Sequence, residues 1–281
     1  MSKNEVISET KEVVKTVYAD LLQPSVKEVG TVVKSIVKIA LMPVKALVGG
    51  IEKFEEFVVN SLSRKLKNIP KEEIKPPEPD IAVKAVNALM YTGNKPKLQE
   101  LFLNLLANSM YTKNETVHPA FVNIIDQMTT LEASICFGFF KRLPTRTIPI
   151  IDLRKVVIKT KLEKMENQFY VSNPTQKCIN SVGYTVHKNI PFSDDVANCD
   201  LNKVSVAIEN LRRLNIVETI HTHGTSNKEI YMKILESEYC KKLIKDMNDN
   251  IGKDEIITYL KKYINVSDFG MDFLNCCCCW E

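Results

Sequence analysis

Apolar residues recur at helical spacing through most of the first 127 residues, and this pattern constrains the fold more than any other feature. The longest interruption is residues 68–80, with prolines at four positions between 70 and 79. Proline excludes helix and restrains the residue before it, so this segment is predicted to be an extended strap. The predicted helices cover residues 1–23, 25–48, 51–66, 81–91, 98–111 and 119–127.

The helix predicted over residues 25–48 is the most hydrophobic segment, and its lysines fall in one narrow stripe. Apolar side chains fill most of the remaining circumference, and Pro43 is expected to kink or split the helix. This is the pattern of an interfacial membrane helix and, more commonly, of a core or partner-binding helix whose lysines face water. No run of about 18 uncharged apolar residues occurs, so no ordinary transmembrane helix is predicted. The lysines of the stripe are Lys27, Lys34, Lys38 and Lys45.

The pattern changes after residue 128, where helical and β-prone segments alternate. A helix from Thr130 to about Arg142 precedes a short strand at 147–152, and another helix follows over 201–214. The β-prone runs 216–220 and 229–234 flank a polar stretch, so they are predicted to form a hairpin. Helix, strand, helix and hairpin is the order of a winged helix.

The predicted fold class is mainly α, and α+β overall. A helical domain over residues 1–128 is followed by a winged-helix-like domain over residues 129–281, which holds a small antiparallel sheet. Residues 153–198 form an insert in this second domain, to which the pattern assigns no regular structure. The remaining predicted elements are helices at 236–247, 254–262 and about 267–278, and a strand at 263–266.

Basic and polar side chains gather on the outer side of the helix predicted over 201–214. In a winged helix this would be the recognition helix, and such side chains contact phosphates and base edges. Winged helices also bind proteins, and a net charge of only +4 gives no global preference for nucleic acid. A nucleic-acid partner and a protein partner therefore both stay open. The candidate contacts are Lys203, Asn210, Arg212 and Arg213 on the helix and Lys228 on the predicted wing.

The sequence offers no constellation for catalysis or for a cofactor. It contains neither a phosphate-binding glycine loop nor a Gly-x-Ser-x-Gly nucleophile turn. His118 precedes Pro119 and is expected to cap or buttress a helix start. His221 and His223 supply two metal ligands, whereas a zinc site needs three or four. We therefore predict a protein that is not an enzyme and has no cofactor or metal.

Eight cysteines are present without the spacing of a disulfide framework. Four are scattered singly, and Cys276–Cys279 are consecutive. The beginning of the chain lacks the basic and apolar pattern of a secretory signal. We expect free thiols in a reducing cytoplasm, with peripheral contact at the inner membrane face if the lysine-striped helix binds lipid.

A set of short motifs follows in order through residues 69–128. These motifs are Ile69-Pro70, Pro76-Pro77, Ile81-Ala82, Ala88-Leu89, Tyr91-Thr92, Leu101-Phe102, Leu105-Leu106-Ala107, Ser109-Met110 and His118-Pro119-Ala120-Phe121-Val122. Together they resemble the abortive-infection alpha family of bacterial and prophage proteins, and residues near 18–30 and 266–273 are also similar to it. The resemblance implies a role in phage exclusion and carries over no catalytic residues.

The expected function is a non-enzymatic role in phage defence, exerted through contact with a protein partner or a membrane. The alternative is a DNA-binding, winged-helix regulator of a prophage or defence locus. In both expectations, the winged-helix assignment of the second domain depends on the hairpin predicted after the helix at 201–214.

Overall fold

A computed structural model describes residues 51–140, 146–157, 183–191, 201–221 and 228–280, together with eight positions between 30 and 41. The fold is mainly α, with one small antiparallel sheet, as the sequence predicts. The chain divides into two compact units, Met1–Ala133 with Asp272–Glu281, and Ser134–Met271.

The elements follow one another along the chain with these bounds. The helices before the sheet are α1 (Ile51–Leu66), α2 (Pro79–Met90), α3 (Pro96–Ser109), α4 (Ala120–Asp126) and α5 (Thr130–Phe140). The strands and helices after them are β1 (Thr147–Val157), β2 (Gly183–Pro191), α6 (Leu201–Arg213), β3 (Val217–His221), α7 (Lys228–Glu236), α8 (Glu238–Asp249), β4 (Glu255–Val266) and α9 (Asp268–Cys277).

From residue 51 onward, the first unit is built from helices that apolar spacing predicts, whereas the helix predicted over residues 1–23 lies outside the described residues. The apolar stripe on α3 is buried throughout, which confirms its inward direction; its members are Leu98, Leu101, Phe102, Leu105 and Leu106. The proline strap contains one short 3₁₀ turn at Lys71–Glu73, and its last two residues, Pro79 and Asp80, already belong to α2. It is fixed to the chain after α3, because Lys75 N–H donates to Met110 O at 2.9 Å and Thr112 N–H donates to Glu73 O at 2.9 Å.

The helix α5 begins at Thr130, as predicted, and the residue before it forms the cap. Thr129, and not Thr130, caps the helix: its Oγ1 accepts from Leu131 N–H at 3.2 Å. Glu132 closes the motif from the other side, because its Oε2 accepts from Thr129 N–H at 2.9 Å. This reciprocal pair is a capping box, which satisfies backbone donors that have no helical partner.

The second unit is organised around a four-stranded antiparallel sheet with the strand order β2-β1-β4-β3. β4 pairs with β1 over its full length, from Thr147↔Asn265 to Val157↔Glu255. Ile151, Tyr231 and Tyr259 belong to a buried apolar cluster on the sheet face covered by α7 and α8. Side chains alternate between the two faces of a strand, so Asp152 lies on the opposite face, beneath α6.

Two elements of this unit differ from the sequence prediction. Residues 229–234, predicted as the second hairpin strand, lie in α7, because Tyr231, Ile234 and Leu235 are buried at helical spacing. Residues 254–262, predicted as a helix, belong to β4, where pairing with β1 extends the predicted strand backwards. β3 therefore pairs with β4 and not with residues 229–234, and the predicted winged-helix hairpin is wrong.

The unassigned insert at 153–198 contains regular structure in its described parts. β1 continues to Val157, and β2 occupies Gly183–Pro191. The pairing of β1 with β2 shifts register on both sides of Leu153, which marks a bulge in this ladder.

The buried core of the second unit predicts a loss of stability in alkaline solution. Burial raises the pKa of the Cys240 thiol from 9.0 to about 12, and that of the Tyr259 hydroxyl from 10.0 to about 12. Both groups ionise at lower pH in the unfolded chain, so their stabilising effect is complete below pH 9 and is lost as pH rises towards 12. Urea unfolding at pH values on both sides of 9 should show this decline. Cys240→Ala should flatten it by up to about 1.4 kcal/mol per pH unit, and an unchanged slope would contradict the assignment.

Candidate functional site

Among the candidate sites predicted from the sequence, the outer side of α6 is the one whose residues the structure describes most completely. The inner side is set by Val204, Ile208 and Leu211, each with no exposed surface, as their helical spacing predicts. These residues seat α6 in the second unit. The remaining circumference of the helix is thereby turned outward.

The outer side of α6 carries a line of residues spaced three and four apart. Lys203, Val206, Asn210 and Arg213 follow one another along it, and Arg212 is exposed beside them. Val206 is 68% exposed, an unusual place for an isopropyl side chain in the middle of a polar surface. We call these five residues the α6 outer face.

The basic end of α6 is held by its backbone. Asn215 adopts a left-handed conformation with φ of 59°. Its N–H donates to Arg212 O at 3.0 Å, and Ile216 N–H donates to Leu211 O at 2.9 Å. These are the two hydrogen bonds of a Schellman motif, which ends a helix at a defined residue. The last turn, with Arg212 and Arg213, therefore has a fixed position, and its charges are favourable beside the negative helix end.

The charged groups on α6 interact weakly with one another. Arg213 Nε donates to Asn210 Oδ1 at 2.9 Å. Arg212 lies 3.7 Å from Glu209 Oε2, with both side chains about half exposed. Exposed pairs of this kind contribute at most about 1 kcal/mol. The cations of the α6 outer face can therefore exchange these contacts for those of a partner.

Lys228 does not lie on a wing strand, which corrects the sequence prediction. It is the first residue of α7. Lys228 therefore does not form a wing with the helix α6, and its predicted contact with a partner stays a prediction.

The lysine-striped helix is described only in part. Lys34 and Lys38 are exposed, as predicted, whereas Val33, Val37 and Leu41 have no exposed surface. At these positions the apolar side of the helix is covered by protein. Lys27, Lys45 and Pro43 lie outside the described residues. None of the helices in the described ranges has the length and apolar composition that a membrane crossing requires.

A buried polar cluster in the sheet was not predicted. Lys262 Nζ donates to Asp152 Oδ1 and Oδ2 at 3.1 and 3.0 Å, and to Asn189 Oδ1 at 2.9 Å. Asn189 has a left-handed φ of 53°, and its N–H donates to Asp152 Oδ1 at 2.8 Å. All three residues are at most 8% exposed. The ammonium group has three protons and three acceptors, so this cluster is saturated from within.

Asn189 also ties the cluster to α6. Its Nδ2 lies 3.4 Å from Ser205 Oγ and 3.3 Å from Glu209 Oε1. A buried network of β1, β2 and β4 thus reaches the edge of the α6 outer face. Sequence reasoning missed it because Asn189 lies in the unassigned insert and Lys262 in a predicted helix. The one feature of the sequence that could have indicated this cluster is Asp152, a carboxylate that follows three apolar strand residues.

In the part of the chain that the structure describes, the histidines and the other potential metal ligands do not form a metal site. His118 Nδ1 accepts from Ala120 N–H at 3.1 Å, which confirms the predicted helix cap at α4. His221 ends β3, and His223 lies outside the described residues. Within the described ranges, no three His, Cys, Asp or Glu residues converge as metal ligands would.

A cleft of about 510 Å³ opens beside the proline strap in the first unit. Pro76, Pro77 and Ile81 line one part of it, and Asn114 and Val117 another. The Asn114 amide is engaged within the protein, because its Nδ2 donates to Asn108 Oδ1 at 2.6 Å. Lys75, Glu78 and Glu115 also line the cleft.

These features define a mainly α protein with a four-stranded antiparallel sheet and an outward-facing basic side on the helix α6. Residues 50–277 match the family model described as Abortive infection alpha, so the chain belongs to the abortive infection alpha family. The resemblance seen in the sequence is thereby confirmed, and membership associates the protein with abortive infection. Comparison with curated proteins and with solved structures found no match.

Proposed function

We propose that the protein acts in abortive infection as a non-enzymatic binding module, and that the α6 outer face contacts a protein partner. The observation that carries this proposal is the 68% exposure of Val206 on a line with Lys203, Asn210 and Arg213. An apolar side chain surrounded by long polar ones is the arrangement of a small contact surface. The partner that fits it has an apolar patch bordered by carboxylates.

Val206 favours a protein over nucleic acid as the partner. Binding to nucleic acid depends mainly on cations that neutralise phosphates, and an isopropyl group at the centre of the surface adds nothing to that. Glu209, exposed between the basic residues, would also be repelled by a phosphate backbone. Arginine, by contrast, is enriched in protein interfaces, and α6 presents two arginines in its last turn.

DNA binding is the second candidate function, and the charge of α6 supports it. Three exposed cations, Lys203, Arg212 and Arg213, stand against the single anion Glu209. If they neutralise phosphates, affinity for duplex DNA will fall steeply as salt concentration rises. No gel shift with duplex DNA at low salt would remove this candidate.

Membrane contact is a weaker extension of the proposal. Lys34 and Lys38 are exposed, so this helix can offer charge to an anionic surface. Its neighbours Val33 and Val37 are buried in protein, so they would be available to lipid only after rearrangement. We expect a cytoplasmic protein with at most peripheral contact at the inner membrane face. Flotation of wild type with anionic liposomes, abolished in Lys34→Glu with Lys38→Glu, would support that contact.

The central test reverses the charge of the α6 outer face. Lys203→Glu with Arg212→Glu and Arg213→Glu should reduce protection against phage at least about tenfold, because an interface with carboxylates becomes repulsive. The matched control reverses three exposed lysines of α7 and α8, Lys233, Lys242 and Lys245. Plating efficiency on expressing cells measures the effect, and thermal unfolding verifies that both variants fold.

A single substitution separates the two partner classes. Val206→Lys should weaken a protein contact, because it removes the apolar centre, but should strengthen binding to phosphates. Lost protection without a gain in DNA affinity would support the protein partner. Equal protection by wild type and both triple variants would contradict a role for α6, and no protection across a broad phage panel would contradict the defence role.

A further inference from the structure

The cleft beside the proline strap combines an apolar lining with charged groups. Pro77 and Ile81 are buried and Pro76 and Val117 are half-buried, and all four side chains line the cleft. With a volume of about 510 Å³, the cleft has the size of a site that receives an apolar side chain together with the stems of its neighbours. We call it the strap cleft.

The walls of the strap cleft are held in place by hydrogen bonds. One wall is fixed where Lys75 N–H donates to Met110 O, and its prolines have little backbone freedom. On the other wall, Asn114 Oδ1 accepts from Thr116 N–H at 3.0 Å and from Thr116 Oγ1 at 2.8 Å. A cleft that is ordered in this way loses little conformational freedom when it binds a partner.

The charges of the strap cleft are complementary to those of α6. The cleft has two exposed carboxylates, on Glu78 and Glu115, and one exposed ammonium group, on Lys75. The helix α6 has the opposite balance, because the three cations of its outer face stand beside the single anion Glu209. Two pairs of carboxylate and cation, and one pair of Lys75 with Glu209, are thereby available between the two surfaces.

We propose that the strap cleft receives the α6 outer face of a second copy of this chain, with Val206 against the apolar lining and the cations of α6 beside Glu78 and Glu115. The inference rests on the proposed function, in which the α6 outer face contacts a protein, and it identifies that protein as another copy. The cleft and α6 are different surfaces, so the contact is head-to-tail. Such a contact continues into a ring or an open chain of copies.

The dimensions of the two surfaces agree with this contact. Lys203 and Asn210 lie about 10 Å apart along α6, on either side of Val206. A lysine or arginine at the border of an apolar site covers it with its methylene stem while its charged end reaches a carboxylate. Nucleic acid does not suit the cleft, because Glu78 and Glu115 would repel its phosphates.

Sedimentation velocity of the full chain over a range of concentrations tests the contact. We expect species larger than the monomer that increase with protein concentration and decrease with salt, which screens exposed charges. Glu78→Lys with Glu115→Lys, the cleft variant, should raise the apparent Kd of self-association at least about tenfold. Lys203→Glu with Arg213→Glu, the helix variant, should have the same effect.

An equimolar mixture of the two variants makes the test specific. Each variant alone opposes like charges, but in the mixture the α6 outer face of either one meets a strap cleft of opposite charge. We therefore expect the mixture to associate although neither variant does so alone. The control, Lys233→Glu with Lys242→Glu, changes exposed lysines of α7 and α8 and should associate like wild type.

Thermal unfolding verifies that each variant folds, and Val206→Lys provides an independent change. It should also abolish self-association, because it brings a charge against the apolar lining of the cleft. If a charge variant fails to fold, Val206→Lys and the salt dependence of wild type still decide.

The inference is overturned if wild type is monomeric at every concentration, which would leave the cleft to a different partner. It is equally overturned if the cleft variant associates like wild type, or if the mixture stays monomeric. These outcomes are separate from the phage experiments. Lost protection in the α6 triple variant with a monomeric wild type would retain the proposed function alone, whereas self-association with unchanged protection would retain the contact alone.

Discussion

Replacement of Gly270 with alanine should lower the free energy of unfolding by about 3 kcal/mol or more, a loss typical of severe overpacking. A Cβ atom at this position in α9 would lie 2.0 Å from Ile216 O and 2.8 Å from the Ile216 carbonyl carbon. These are backbone atoms, so no side-chain rotation can relieve the clash. Ile216 O is also in use, because Ser267 N–H donates to it at 3.1 Å. Displacement of this carbonyl would therefore disturb the start of α9 as well.

Urea unfolding measures this effect, and Gly30→Ala is its matched control. Gly30 is helical, and the nearest atom to an added Cβ there is Ser63 Oγ at 4.0 Å. Alanine should therefore stabilise the protein at position 30 by up to about 1 kcal/mol, through its higher helix propensity. Similar midpoints for Gly270→Ala and wild type would show that α9 can move away from Ile216.

Replacement of Lys262 with methionine should destabilise the protein by about 3–5 kcal/mol, because the buried carboxylate of Asp152 loses its counter-charge. The Asn189 side-chain oxygen loses its donor at the same time. The double replacement Asp152→Leu with Lys262→Met should recover a large part of this loss. A complete buried ion pair contributes little net stability, whereas a buried charge that has lost its partner destabilises the protein strongly.

The neighbouring lysine is the control for this experiment. Lys261 points to the other face of the sheet, where its Nζ lies 5.6 Å from the Tyr231 ring and 5.9 Å from the Tyr259 ring. Lys261→Met should cost no more than about 1 kcal/mol, the size of a partly exposed cation–π contact. Equal urea midpoints for Lys261→Met and Lys262→Met would mean that Asp152 is stabilised by other groups.

Local periodicity was sufficient to predict the helices of the first unit from residue 51 onward and the two sides of α6. Leu98, Leu105, Val204 and Leu211 are buried where their spacing places them. Such predictions succeed because a helix fixes its own geometry through bonds between residues four apart. The same periodicity placed Lys203 and Arg213 outward and gave the candidate site its direction.

The sheet could not be predicted in the same way, because its pairing joins distant residues. Residues 254–262 carry enough charged residues to look like a surface helix, and only the long ladder with β1 makes them a strand. Lys262 and Asp152 are 110 positions apart, and Asn104 and Cys277 are 173 apart. Neither the buried cluster nor the hydrogen bonds from Asn104 and Asn108 to the end of α9 have a local signal.

The strand order has a consequence for how the protein is made. β4 lies between β1 and β3, yet it is the last of the four strands to leave the ribosome. Until residues 255–266 have been synthesised, β1 and β3 each present a row of unpaired backbone groups, which is a template for aggregation. Closure of this unit is thus delayed until β4 has been synthesised, and ribosomes that stall before β4 would release a chain that chaperones must hold or proteases remove.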